Sequence, residues 1–346
     1  MHIAIVGFGC AGRVSLLTLI NQYDDLSVDV FDQNSLDSKL SCGYAAAGMV
    51  APISEAVSLA ENTLYTQGIR SLALWPQLLS KLGDSNQFYH QTGTLVVAHY
   101  RDEPDFSYFN QQMSNTIEVG KIKWISKRQL CELESTLSHS QFHHQALYFP
   151  EECCINVKAF YKATNDLCLN SDNITFYQKK IEDIQALSSS YDYVIDTRGL
   201  SNYGLTNRGI RGEAVVVQAP DVAIRHTIRL IHPRHPIYIT PRGNGVYYVG
   251  ATSIESHDQS EISVKSTLEL LSALYTVDKG FAEARIIKLI ANIRPANRSG
   301  IPELSCQRNI YSISGLNRHG YLLSPVLAEK IRLNINEKYE SKSYAS

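Results

Sequence analysis

Glycine stands at the first, third and sixth positions of Gly7-Phe8-Gly9-Cys10-Ala11-Gly12, a spacing suited to a turn that holds a pyrophosphate. Gly7 permits the tight turn, Gly9 lets backbone N–H groups reach phosphate, and Gly12 lets the next helix pack closely on the preceding strand. Asp32 follows 20 positions after Gly12, where a carboxylate suits a ribose 2′-OH and would repel a 2′-phosphate. The turn alone does not choose between NAD and FAD. Other clusters carry less chemistry. His139 and His143 are four apart and would share a face if 138–144 were helical, with His144 pointing elsewhere. No third ligand stands near them, so surface histidines without a metal are expected. Cys153-Cys154 reads as two buried or half-buried thiols, while Cys10 and Cys42 are expected to pack near the cofactor. Glu213, in Arg211-Gly212-Glu213, reads as a turn-side salt bridge.

These residues need elements to position them. Residues 2–6 read as a buried parallel strand, 7–12 as a turn, 13–23 as a helix and 27–32 as a second strand, together a βαβ opening. The small-residue stretch 41–52 (SCGYAAAGMVAP) implies close approach by something bulky, and a helix is expected from about 56 to 82. Strands are expected at 93–99 and 191–196, the latter leaving through Thr197-Arg198-Gly199. Between 214 and 250 the runs AVVVQ, IRLIH, IYIT and VYYVG, parted by Pro or Gly, read as antiparallel. A strand at 310–314, a loop at 315–320 and a helix at 324–335 follow, after which KYESKSYAS should fray.

Composition narrows the classes. A chain of 346 residues, 44% apolar, is large enough for two domains or for one with a large insertion. Its 32 Lys+Arg against 34 Asp+Glu give a net charge of -2, which argues against nucleic acid and acidic membranes as partners. Seven cysteines, an odd number without zinc spacing, fit reduced thiols in a cytoplasmic protein. The strand-like start shows no basic n-region or cleavage site, so export is not expected, and no apolar run reaches the ~18 residues of a membrane span.

Further segments carry a resemblance: SCGYAAAGMVAP at 41–52, YHQTGTLVVA at 89–98, LYFPEE at 147–152, YDYVIDTRGL at 191–200, IYITPRGNGVYYVGAT at 237–252, IRPANRSGIPE at 293–303 and GLNRHGYLLSP at 315–325. In this order the chain resembles the D-amino acid oxidase-like FAD family, most closely the glycine oxidases attached to thiamine biosynthesis, from the first strand to the helix after Ser324. The resemblance implies an α/β fold: a Rossmann-type FAD-binding domain from 1–85, 145–205 and 290–346, with an inserted α+β antiparallel-sheet substrate domain from 86–144 and 206–289. FAD would rest on Gly7, Gly9, Gly12 and Asp32, with Ala46, Ala47, Gly48 and Met49 along the flavin ring. Thr197 and Gly199 would support it at the exit turn, and Gly315, Gly320, Tyr321 and Leu322 at its pyrimidine end.

The implied reaction is oxidative deamination of a small amino acid, glycine first, with dioxygen yielding hydrogen peroxide and an imine that feeds thiazole formation. A thiazole synthase or other acceptor protein is the candidate partner, and a homo-oligomer the candidate assembly. Such a substrate needs a carboxylate clamp. Arg294, before Pro295, is the first choice by motif position, and Arg318 the second. Tyr238, alternating with Ile237 and Ile239, would turn its hydroxyl to the carboxylate. The chain departs from the family pattern at Gly315-Leu316, where Gly-His is common, placing a histidine later at His319. It departs again at Ser299-Gly300, where Asp-Gly is common. Sarcosine, proline, a D-amino acid or a partner protein therefore remain open as substrates, as does a cofactor-binding scaffold without turnover.

Overall fold

The computed structural model describes the chain except residues 21, 24, 56–61, 118–121, 140, 202–207 and 344–346 and the side chains of 62, 63, 116, 139 and 340–343. His2–Val6 is a central strand: Ile3, Ala4 and Ile5 are wholly buried, so both of its faces are covered, as a parallel sheet requires. Ser27–Asp32 pairs with it in parallel on one side and is followed by Ile174–Gln178. On the other side lie Tyr193–Asp196, Ile310–Ser314 and, antiparallel at the edge, Glu303–Gln307. The glycine turn leaves the carboxyl end of the central strand, beside the turn that follows Asp196.

The helix after the turn is Cys10–Leu19, earlier and shorter than the expected 13–23. All ten of its residues are buried, so no polar stripe marks its ends in the sequence. It shares a core with Trp75 of the helix Asn62–Leu79, Phe160 of Val157–Asn170 and Tyr321. The first part of the helix expected at 56–82 lies outside the described residues. The last helix, Gly320–Ser343, begins before and ends after the expected 324–335. Its Pro325 cannot donate to the Tyr321 carbonyl four residues back, and the Trp75 indole N–H donates to that carbonyl instead, at 2.9 Å. A neighbour's donor thus lets a proline sit inside the helix.

The second sheet has nine strands. Arg208–Gln218, Val246–Gly250, Ile237–Pro241 and Thr227–Ile231 run antiparallel to one another, but Thr227–Ile231 is parallel to Thr94–Ala98, so the sheet is mixed. Gln145–Phe149 and Lys123–Ser126 extend it at one edge, while Arg285–Ala296 pairs along the whole of Arg208–Gln218 at the other. The segment limit expected at 290 falls inside Arg285–Ala296, and the one at 145 separates Gln145–Phe149 from the sheet it joins, because apolar pattern alone does not say which sheet a strand joins. No helical face forms over 138–144: a 3-10 turn ends at His139, and Phe142 bridges His99, while residue 140 lies outside the described residues. Among the described residues no helix is long and apolar enough to cross a membrane.

Candidate active site

Two cavities, of about 740 Å³ and about 180 Å³, share Gly9, Ser41, Cys42, Thr197, Gly199 and Pro295 in their walls and so meet as one cleft between the sheets. The glycine turn lies where they join. Gly7 has φ +93°, and a side chain there would stand 2.7 Å from the Thr197 carbonyl oxygen. At Gly12 a Cβ would come within 2.1 Å of the Gly7 oxygen. Gly12 is thus a packing position and does not line the cleft. Around Gly9 the nearest atom to a Cβ would be 3.9 Å away, and no side chain caps the helix that starts beside it. Its first backbone N–H groups are left for an anion.

Asp32 lines the larger cavity with Gly7. Its carboxylate accepts from the Phe8 N–H at 2.7 Å and the Asn34 N–H at 2.8 Å, which fixes the acid beside the turn. Thr197 donates to the Gly7 carbonyl at 2.6 Å, tying the exit turn to the glycine turn.

The small residues Ala46, Ala47, Gly48 and Met49 form one wall of the smaller cavity, opposite Gly315, Gly320, Tyr321 and Leu322. Arg242 donates to the Ala47 carbonyl at 2.6 Å, and the Tyr248 hydroxyl to the Ala45 carbonyl at 2.9 Å, so the second sheet fastens this wall. Buried in the wall without a partner among the described residues are Ser314 Oγ, Asn317 Oδ1 and His319 Nε2. Orphaned polar atoms, open backbone N–H groups and a floor of small residues together fit a dinucleotide with a flat polar ring, as FAD has.

At the far end stand Arg294, Arg318 and Tyr238, all in the cavity wall. Ile237 and Ile239 are buried on the opposite face of their strand, so Tyr238 faces the cavity, its ring stacked on Tyr248 at 6.4 Å and 7°. The Tyr238 hydroxyl has no hydrogen-bond partner among the described residues, and burial raises its pKa. The two arginines differ. Arg294 lies flat against Gly212, donates to the Thr252 carbonyl at 3.1 Å and has no carboxylate partner among the described residues. Arg318 is paired with Glu55 at 3.3 Å.

Glu55, with Arg229, escaped the sequence analysis. Arg229 pairs with Glu55 at 2.8 Å. Burial raises the Glu55 pKa, but Arg229, Arg318 and their neighbours overcome it and hold the group at about 2. His319 is the reverse: burial, then Arg318, pushes it down to about 4, so it is neutral near pH 7. A cation alternating with Ile228 and Leu230 was the available signal for Arg229. Glu213 lies within a strand, not a turn, and its ion pair with Arg211 at 2.8 Å is buried. Cys153 and Cys154 are both buried.

A parallel sheet with a glycine turn at its carboxyl edge, and a cleft leading to a charged pocket, define a dinucleotide-dependent protein. The FAD dependent oxidoreductase family model matches residues 2–332, and the chain belongs to that DAO family. It is 32% identical over 333 residues, 96% of this chain and 95% of the relative, to a Rhizobium etli protein named as a thiamine biosynthesis oxidoreductase. The glycine oxidase of Geobacillus kaustophilus is 23% identical over 94% of this chain and 90% of its own length. A crystal structure of glycine oxidase from that organism superposes with a TM-score of 0.78 over 94% of this chain and 92% of that one. Glycine oxidase from Bacillus cereus gives 0.78 at 22% identity, over 95% of each chain. The protein is an FAD-dependent oxidoreductase with the fold of these enzymes.

Proposed function

We propose that the protein oxidises the C–N bond of a small amino acid, glycine first, to an imine, with dioxygen as final acceptor and hydrogen peroxide as second product. The observation that carries this reading is Arg294: a cation in the cavity wall whose fork holds no carboxylate among the described residues. A half-buried guanidinium without a carboxylate partner is stabilised by an anionic ligand, and a bidentate carboxylate matches its geometry. The Tyr238 hydroxyl, facing the same space, would donate to that carboxylate. In this reading Gly7, Gly9, Asp32, Thr197 and Gly199 would hold the nucleotide half of FAD, with Gly12 only packing the helix against the turn, and residues 46–49 with Gly315, Gly320, Tyr321 and Leu322 would enclose its ring. FAD supplies the two-electron acceptor. The chain's residues fix the carboxylate so that Cα–H points at the ring, and the cationic pocket favours the neutral form of the substrate amine.

The name of the 32% identical relative supports a role in thiamine formation, and in this reading a thiazole synthase would receive the imine. We place the enzyme in the cytoplasm, where its seven free thiols stay reduced. Anaerobic titration of the purified holoenzyme with glycine, sarcosine, proline and D-alanine tests the reading. Glycine should bleach the flavin at the lowest concentration. Bleaching by none of the four would overturn it.

A further inference from the structure

The neutralisation of Arg318 depends on where Glu55 stands, and Glu55 follows a turn that is held from another part of the chain. Glu152, in the connection between Gln145–Phe149 and Cys153–Ile155, is wholly buried. Its carboxylate accepts from the Ile53 N–H at 2.8 Å, the Ser54 N–H at 2.6 Å and the Ser54 hydroxyl at 2.8 Å, and from the Thr94 hydroxyl. Four donors on one buried carboxylate fix a turn far more firmly than exposed loop contacts do. From that turn the Ser54 carbonyl accepts from Arg229, and the Glu55 carboxylate reaches Arg229 and Arg318. Glu55 also lines the cavity that holds Arg294 and feels its charge.

We propose that Glu152 is a positioning residue for substrate binding: by anchoring the turn at Ile53 and Ser54 it keeps Glu55 on Arg229 and Arg318, and so away from Arg294. The inference rests on Arg294 being the carboxylate clamp. A Glu55 released from this geometry is a tethered carboxylate within the same cavity, at high effective concentration, and competes with the substrate for the guanidinium. Glu152 touches neither substrate nor cofactor; it acts through Glu55.

The test is a double-mutant cycle on the oxidised holoenzyme, with acetate as the probe and perturbation of the flavin spectrum as the readout. Glu152→Gln should raise the Kd for acetate about tenfold, at an unchanged FAD content, because the amide is a weaker acceptor for four donors. In a Glu55→Gln background, where no competing carboxylate exists, the same change should alter the Kd by less than about twofold. Loss of packing alone would weaken acetate binding equally in both backgrounds, and that additive result would overturn the proposal, as would an unchanged Kd in folded Glu152→Gln. Should Glu152→Gln fail to fold, Ser54→Ala removes one of the four donors and completes the same cycle. Acetate binding that ignores Arg294→Ala would sink the clamp. An additive cycle with Arg294-dependent acetate binding would sink the role of Glu152 alone.

Discussion

At the phosphate end of the cleft Gly7 and Gly12 are so crowded that no side chain fits at either, and the holding groups are backbone N–H groups with the side chains of Asp32 and Thr197. At the far end the wall carries charged side chains from separate segments, Arg294, Arg318 and Glu55, with Glu55 ion-paired to Arg318 and to Arg229. The first arrangement selects by shape and cannot yield; the second selects by charge and can rearrange. Damage at the two ends should therefore differ in kind, with retention of FAD failing at one and handling of substrate at the other.

The largest effect is expected from Gly12→Ala. Its Cβ would meet a backbone oxygen at 2.1 Å, a clash that no rotamer relieves, so the purified protein should lose most of its flavin. A yellow Gly12→Ala protein with parental FAD content would break the contrast. Next comes Arg294→Ala, which removes the bidentate clamp and should cost about 2–5 kcal/mol, roughly 30- to 5,000-fold in kcat/KM, while FAD stays bound. Arg294→Lys should fall between. Stopped-flow flavin reduction with parental saturation behaviour in Arg294→Ala would remove the assignment.

Gly212→Ala sharpens the comparison, since here a glycine serves the charged end. The added methyl would sit 2.3 Å from Arg294 Nη2, the free end of a flexible side chain, so the guanidinium should move and the fold stay intact. A fall in kcat/KM of about tenfold with an unchanged Tm is expected. A large drop in Tm would show that the strand, not the arginine, gives way.

The smallest effects come from pH. Glu55 at about 2 and His319 at about 4 do not titrate between about pH 6 and about 9, so a rise in kcat/KM across that window should follow the amine of the substrate. Substituting sarcosine should move the profile with its own amine. His319 bears on stability instead. Its folded pKa lies below the 6.5 of the free group, so the unfolded chain binds the proton first, and stability falls as pH drops from about 6.5 towards 4. The loss is at most about 3 kcal/mol. Urea midpoints that fall equally in parent and His319→Gln would exclude it.

The phosphate end was largely legible in the sequence because its parts are contiguous: Gly7 to Gly12, then Asp32, are set by one local βαβ geometry. The order of strands in the second sheet was not, since Thr227–Ile231 lies beside Thr94–Ala98 across a long stretch of chain, and periodicity does not encode such partners. Alternation with two buried isoleucines turns Tyr238 towards the cavity wall. Arg294 and Arg318 were ranked by motif position alone; the physical difference between them, the Glu55 carboxylate that pairs with Arg318 and Arg229, arises only in the folded chain.

The indole that completes the proline-bearing helix has an optical consequence. The chain holds two tryptophans; Trp75 is wholly buried against Tyr321, whereas Trp124 is 44% exposed. Tyr321 borders the cavity, so Trp75 stands one ring behind it and well within the range of resonance energy transfer to a bound flavin. Emission from the holoenzyme should come mostly from Trp124, red-shifted and open to iodide. Release of FAD should uncover a second, blue-shifted component that iodide does not reach, giving a label-free signal for cofactor exchange.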